Sequence, residues 1–184
     1  MTASDHVIRN FAWGDVPAIT AIYAHYVKTS AATFDTEPPG ETFMADKFGH
    51  MVELGHPVIV AERGGKTVGY AYASVFRPRP GYRFTCEDTV YLAPEMLGQG
   101  IGSMMLSEII TRAKAFGFRQ MIAVIADEIG ASVKLHEKHG FAVLGRFPDL
   151  GFKFGRWIGI VHMQKTLRER QGLWADPAKP ISPR

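Results

Sequence analysis

The chain has 184 residues, with 21 basic against 18 acidic side chains, a formal net charge of +3 and 46% hydrophobic residues. These figures suit one globular domain able to bury its own core, and they exclude a disordered or fibrous chain. One cysteine, Cys86, excludes an intramolecular disulfide framework, and the small basic excess permits an anionic ligand without requiring nucleic acid.

The N-terminus, Met1-Thr2-Ala3-Ser4-Asp5-His6, is polar and lacks a basic segment followed by an apolar run, so no signal peptide is expected. No uncharged apolar stretch approaches the ~20 residues that span a bilayer, and the expected location is the cytoplasm. Val7-Ile8-Arg9 predicts a short strand. Asp15 is placed to cap a helix with Pro17 in its first turn, and Ile19, Ile22, Tyr23 and Tyr26 follow at helical spacing. Residues 31–40 read as a loop with Asp35, Pro38, Pro39 and Gly40, and residues 41–54 as a second helix closed by Gly55.

Strands follow at 58–61 and 68–76 around the glycine hairpin Arg63-Gly64-Gly65-Lys66, and another at 82–92 after the loop Arg77-Pro78-Arg79-Pro80-Gly81. Residues 101–116 give the clearest helix, since Ile101, Met105, Ile109, Ala113 and Phe116 form one stripe that Gly117 ends. The apolar run 121–125 is a buried strand, 127–139 a shorter helix, and 141–147 and 158–167 the last strands. Residues 168–184, with Pro177, Pro180 and Pro183, read as an extended tail after a single domain at 1–167. Three successive central strands favour antiparallel hairpins, and the later strand-helix-strand crossovers favour a parallel pair. The expected fold is an α/β (α+β) arrangement: a mixed, mostly antiparallel sheet of about seven strands flanked by about four helices.

Gly98-Gln99-Gly100-Ile101-Gly102 lies between a strand and the best helix, where bare N–H groups at a helix N-terminus favour phosphate. No Gly-Lys-Ser/Thr follows, and the glycine spacing fails the dinucleotide fingerprint. Around it stand Thr89-Val90-Tyr91-Leu92-Ala93-Pro94, Ser103, and Ser132, Leu135, His136, Gly140 and Phe141. Phe34-Asp35-Thr36-Glu37-Pro38, Glu87-Asp88, Ala123-Val124-Ile125 and Gly151-Phe152-Lys153-Phe154-Gly155-Arg156-Trp157 complete the pattern.

Over residues 7–167 this pattern resembles the GNAT N-acetyltransferase superfamily, and within it the phosphinothricin and methionine sulfone (sulfoximine) acetyltransferases. The resemblance implies that Gly98, Gln99, Gly100, Ile101, Gly102 and Ser103 hold the pyrophosphate of acetyl-CoA, with Val90, Tyr91, Leu92 and Ser132 also at the cofactor. It implies a GNAT fold and, from related dimers, a homodimer to which the apolar 147–157 stretch and the C-terminal tail contribute. Two positions depart from the pattern. Leu97 stands where an Arg or Gln is usual, and Ile129 replaces an Asn whose side chain would bond the pantetheine arm, a loss of about 0.5–1.5 kcal/mol.

Acetyl transfer to an amine needs a neutral amine, a polarised thioester carbonyl and a proton for the thiolate. Glu87 matches the base of the similar enzymes, and strand alternation lets only one of Glu87 and Asp88 serve the site. Backbone N–H groups of Val90 or Leu92 polarise the carbonyl if this strand splays from its neighbour. His136 is either the proton donor to the leaving thiolate or a helix histidine packed beneath the cofactor. Arg77, Arg79 and Arg83, with Lys153 and Arg156, are either a clamp for an acceptor carboxylate or phosphinate or solvated loop charges. Phe34, Phe154 and Trp157 are placed to wall an apolar pocket. Histidines 25, 50 and 162 lack metal-ligand spacing, so no metal is expected, and Cys86 reads as a buried strand residue. The leading reading is an acetyl-CoA-dependent N-acetyltransferase for the α-amine of a small amino acid or analogue. The alternatives are an acetyltransferase for a protein or aminoglycoside amine, and a non-catalytic CoA-binding module. No membrane or nucleic-acid partner is expected.

Overall fold

The computed structural model describes residues 6–168. Seven strands form one sheet: β1 (His6–Asn10), β2 (Val58–Arg63), β3 (Lys66–Val75), β4 (Thr85–Leu92), β5 (Gln120–Ala126), β6 (Ala142–Lys153) and β7 (Arg156–Thr166), in the order β1-β2-β3-β4-β5-β7-β6. Only β4 and β5 run parallel, joined by the crossover helix α3 (Ile101–Phe116); every other pairing is antiparallel. The remaining helices are α1 (Val16–Thr29), α2 (Glu41–Glu53) and α4 (Gly130–Lys138). This is the mixed, mostly antiparallel sheet with four helices that the element order implies.

The apolar stripes decide which face each helix covers. On one face, Ile101, Met105, Leu106, Ile109 and Ala113 of α3 pack on Ile59, Ala61, Ala71, Met121, Val161 and Met163. On the other, Ile19, Ile22 and Val27 of α1 and Met44, Phe48 and Met51 of α2 pack on Val58, Val60, Tyr70 and Tyr72. Burying side chains of this size contributes roughly 1.5–3 kcal/mol each before chain entropy is counted.

Four local expectations are corrected. Asp15 stands at the start of α1 but does not cap it: its carboxylate accepts from both Arg9 terminal nitrogens (2.7 and 2.8 Å), from Thr67 and from the Ala12 N–H. β4 begins at Thr85 rather than residue 82, because Pro80 starts a 3-10 turn in which the N–H of Tyr82 bonds Arg79 O at 2.9 Å. α4 begins at Gly130 rather than 127, since the Asp127 N–H is taken by Gly159 O and that of Ile129 by Ala126 O. The last hairpin is far longer than expected: β6 runs to Lys153 and β7 starts at Arg156, closed by Phe154 and Gly155, both at positive φ (53° and 72°) as a two-residue hairpin turn requires. Apart from Arg168, the expected tail lies outside the described residues.

Candidate active site

The sheet opens at one place. β4 and β5 pair only through Thr85 with Gln120, Cys86 with Met121 and Glu87 with Ile122; beyond Glu87, β4 follows β3 to Leu92 while β5 follows β7 to Ala126. The hydrogen-bond parity of β4 is fixed at both ends, because Phe76 N–H donates to Thr85 O and Ala93 N–H donates to Val68 O. Alternation then turns the peptide groups of Asp88, Val90 and Leu92 into the fork. The carbonyl of Leu92 accepts the Tyr26 hydroxyl at 2.8 Å. Tyr91 has its peptide turned toward β3, and its hydroxyl donates to Ala32 O at 2.7 Å.

The glycine loop lies beyond the end of β4. Gly98 and Gly100 sit at φ 75° and 82°, which glycine alone adopts without strain, and space is open where their Cβ atoms would stand. Gly100 starts α3 with no side chain capping it, so the first N–H groups of a 16-residue helix, those of Ile101, Gly102 and Ser103, point outward. The site is electropositive and shaped for an anion. The Gln99 side chain is anchored locally, donating to Glu95 O at 2.8 Å and accepting from Arg63 at 3.1 Å. The Ser103 hydroxyl pairs with His139 Nε2 at 2.8 Å. Ile101 is buried and Leu97 exposed, while Ile129 packs against the core next to Val133 and Ala126.

Glu87 and Asp88 face opposite sides of the sheet. Glu87 is half-buried on the α1–α2 face, at the apex of the fork. Burial, reinforced by the charge of Asp88, raises its pKa; Arg77 and Lys47 pull the other way. Asp88 is buried on the opposite face, with Oδ2 at 3.0 Å from His136 Nε2. The other ring nitrogen lies 2.7 Å from Ser132 O, and a carbonyl only accepts, so Nδ1 carries a proton. Burial alone would depress the imidazole, but the bond and charge of Asp88 outweigh it and the His136 pKa is raised. His136 is therefore engaged at both nitrogens, and the bond and charge of Asp88 favour its protonated form. Cys86 is fully buried in the core, and burial pushes its thiol pKa up, so it stays protonated.

The expected acceptor residues separate into three groups. Phe34 leans on Gly151 of β6, and Lys153 is buried, donating to Ser30 O and Thr33 O at 2.8 and 2.7 Å. Arg77, Arg79 and Arg83 are exposed on the loop before β4; Arg77 stacks over Phe76 and acts on Glu87 through its charge, and Arg83 donates to Pro80 O. Arg156 is paired with Glu128, and Trp157 is exposed against Phe152. Lys47, on α2, belongs with these residues and carries no signal in the sequence, where it is one charge on a polar helix face. Its ammonium stands over the rings of Tyr23 and Tyr72 and acts on Glu87. Among the described residues no three His, Cys, Asp or Glu side chains cluster to hold a metal.

The model of the acetyltransferase (GNAT) family matches residues 19–141. The chain belongs to that family. This acetyltransferase is 49% identical over 154 residues to phosphinothricin N-acetyltransferase from Alcaligenes faecalis, a match spanning 83% of this chain and 78% of the relative. It is 38% identical over 160 residues to the L-methionine sulfoximine/L-methionine sulfone acetyltransferase of Salmonella typhimurium, over 84% and 91% of the two chains. Among solved structures it superposes, with a TM-score of 0.87 and 40% identity over 94% of this chain and 97% of the other, on a phosphinothricin acetyltransferase from Sinorhizobium meliloti in complex with acetyl-CoA. This GNAT chain is an N-acetyltransferase, and acetyl-CoA is its acetyl donor. The uncapped α3 N-terminus and the open glycine cradle fit the diphosphate, and the unpaired arm of β4 fits a ligand threaded through the fork. No helix among the described residues is long and apolar enough to cross a membrane.

Proposed function

We propose that this acetyltransferase modifies the α-amine of a small amino acid or analogue of the phosphinothricin, methionine sulfone or methionine sulfoximine type, by direct attack of the amine on the thioester. The observation that carries this reading is Glu87 at the apex of the β4–β5 fork, with a raised pKa, beside a strand arm whose N–H groups at Val90 and Leu92 have no strand partner on that side.

The roles follow from chemistry. Acetyl-CoA supplies the activated acetyl group. Gly98, Gln99, Gly100, Ile101, Gly102 and Ser103 receive its diphosphate through backbone N–H groups, with Ser132 lining the path, while Tyr91 acts at one remove by packing on the α1–α2 face and holding Ala32 O. Val90 or Leu92 N–H donates to the carbonyl oxygen as it gains charge. Glu87 takes a proton from the acceptor ammonium, directly or through water, and a carboxylate shifted toward neutrality accepts it more readily than an ordinary one. As the C–N bond forms the C–S bond breaks, the nitrogen sheds its second proton to solvent, and the leaving thiolate, whose thiol pKa is ~8.5, takes a proton from solvent. His136 is a positioning residue that holds Asp88 and α4, since both its nitrogens are engaged. Arg77, with Lys47 behind it, attracts an acceptor anion; Arg79 and Arg83 extend that positive edge, and Phe34 and Trp157 wall the side-chain pocket. Lys153 and Arg156 act through the segments they hold.

Residues 1–167 act as one catalytic domain, in the cytoplasm, where the lone buried thiol needs no partner. A homodimer is supported by the exposed apolar side chains Leu144, Phe147, Leu150, Phe152, Phe154 and Trp157 on the last hairpin. Thiol release from acetyl-CoA tests the acceptor class. Turnover is expected with phosphinothricin, methionine sulfone and methionine sulfoximine and not with a polyamine or aminoglycoside; the opposite ranking overturns the proposal.

A further inference from the structure

The loop between α1 and α2 has no helix or strand at residues 30–35, yet five elements hold it. Tyr23 of α1 donates to Asp35 Oδ2 at 2.7 Å and shares a 2.8 Å bond with Thr33 Oγ1. Tyr91 of β4 bonds Ala32 O. Ala31 is buried between Ala126 of β5 and Ile158 of β7. Gly151 of β6 receives the Phe34 ring so closely that any Cβ there would overlap it. Lys153, at the end of β6, places its ammonium between the carbonyls of Ser30 and Thr33.

Lys153 is 3% exposed and lies within 4 Å of no carboxylate among the described residues. A buried ammonium is tolerated only when its protons are used, and here they are used on backbone. An apolar chain of similar length fills the same space; what it cannot do is draw two carbonyls to one point. That contact bends residues 30–33 and delivers Phe34 onto Gly151. The loop so shaped lies on the α1–α2 face that Glu87 shares. Asp35 is bonded to Tyr23, the Tyr23 ring faces Lys47, and the charge of Lys47 acts on Glu87.

We propose that Lys153 is a positioning residue for the acceptor amine: with Gly151 it fixes residues 30–35, so that Phe34 and Asp35 form a rigid wall of the acceptor cleft and set which amino acid side chain is accepted. The inference rests on the acceptor reading above. It separates Lys153 from the exposed arginines, which meet solvent and act through charge.

The test uses the full chain with Lys153→Met and Gly151→Ala, the second adding one methyl against Phe34 and leaving the lysine in place. Acetyl-CoA affinity is measured by calorimetry, acceptor KM and kcat are measured with phosphinothricin and methionine sulfone, and amide exchange is followed in the peptide covering residues 30–36. The expected result is faster exchange in that peptide, acetyl-CoA Kd within about twofold of wild type, and acceptor KM raised about tenfold or more with a smaller change in kcat. A changed ratio between the two acceptors is expected in both variants. Unchanged acceptor KM in either folded variant overturns the proposal, as does a parallel loss of acetyl-CoA affinity, which a merely structural role produces. Wild-type silence on every amino acid analogue is a different result: it overturns the acceptor reading and this inference with it.

Discussion

His136 Nε2 and Asp88 Oδ2 lie 3.0 Å apart and join α4 to the arm of β4 that has left β5. Both side chains are almost fully buried, and the second Asp88 oxygen has no hydrogen-bond partner. A buried pair of this kind contributes little against a hydrophobic substitute, but removing one member is severe. Asp88→Ala is expected to lose about 3–5 kcal/mol in urea unfolding at pH 6. The sign with pH follows from the raised His136 pKa. The contribution is complete below the ordinary histidine value of 6.5 and is lost as pH climbs through the higher folded value. The gap between wild type and Asp88→Ala therefore narrows at alkaline pH; a constant gap from pH 6 to 9 shows that His136 is not charged in the fold.

Glu87→Gln keeps the shape of the fork apex and removes its base. The expected loss in kcat is about a hundredfold to ten-thousandfold, with acetyl-CoA affinity by calorimetry unchanged. In wild type the rate falls as acidification protonates Glu87, and the raised pKa puts that limb above the usual carboxylate range. The variant lacks the limb. Full activity in Glu87→Gln across pH ends the assignment.

Lys47 holds the Glu87 pKa down by its charge, against burial and Asp88. Lys47→Met removes that influence, so the acid limb of kcat/KM moves to higher pH. Acceptors with an anionic side chain should suffer a larger rise in KM than neutral ones. An unmoved limb, with unchanged selectivity, shows that Lys47 is a solvated helix charge.

Gly100 stands at φ 82° at the head of α3. An alanine there strains the left-handed backbone by about 1–2 kcal/mol, or relaxes the loop away from the diphosphate cradle, equivalent to roughly five- to thirtyfold in acetyl-CoA affinity. Gly14→Ala, with no positive φ and no atom near the added methyl, is the control and should leave Kd unchanged. Equal affinities for the two variants exclude the cradle.

The sequence exposes these features unevenly. The α3 stripe, the β2–β3 glycine hairpin and the glycine loop are readable because their signals are local: a 3.6-residue period, a turn pair, a helix start. Alternation along β4 separates Glu87 from Asp88 before any coordinates exist. β6 is harder to read, because register shifts between Val143 and Gly145 and between Phe147 and Gly151 interrupt the two-residue period that marks a strand, and Asp149 takes a positive φ in the second. Lys153 stands out in the sequence as a candidate clamp, but its partners are carbonyls 123 and 120 positions away, and Lys47 looks like an ordinary surface charge because the rings it faces are remote in sequence. The pairing of His136 with Asp88 spans 48 positions and has no local trace.

The bonds from Lys153 reach back 123 and 120 residues to Ser30 and Thr33. Closing so long a span is entropically slow and rewarded only when both ends are in place. During synthesis β2, β3 and β4 leave the ribosome before the donor cradle at residues 98–103, and α3 and β5 follow soon after. The wall that judges the acceptor waits for the final hairpin. Loss of the final hairpin would remove more than the Lys153 contact, because β7 lies between β5 and β6 and carries Val161 and Met163 of the core.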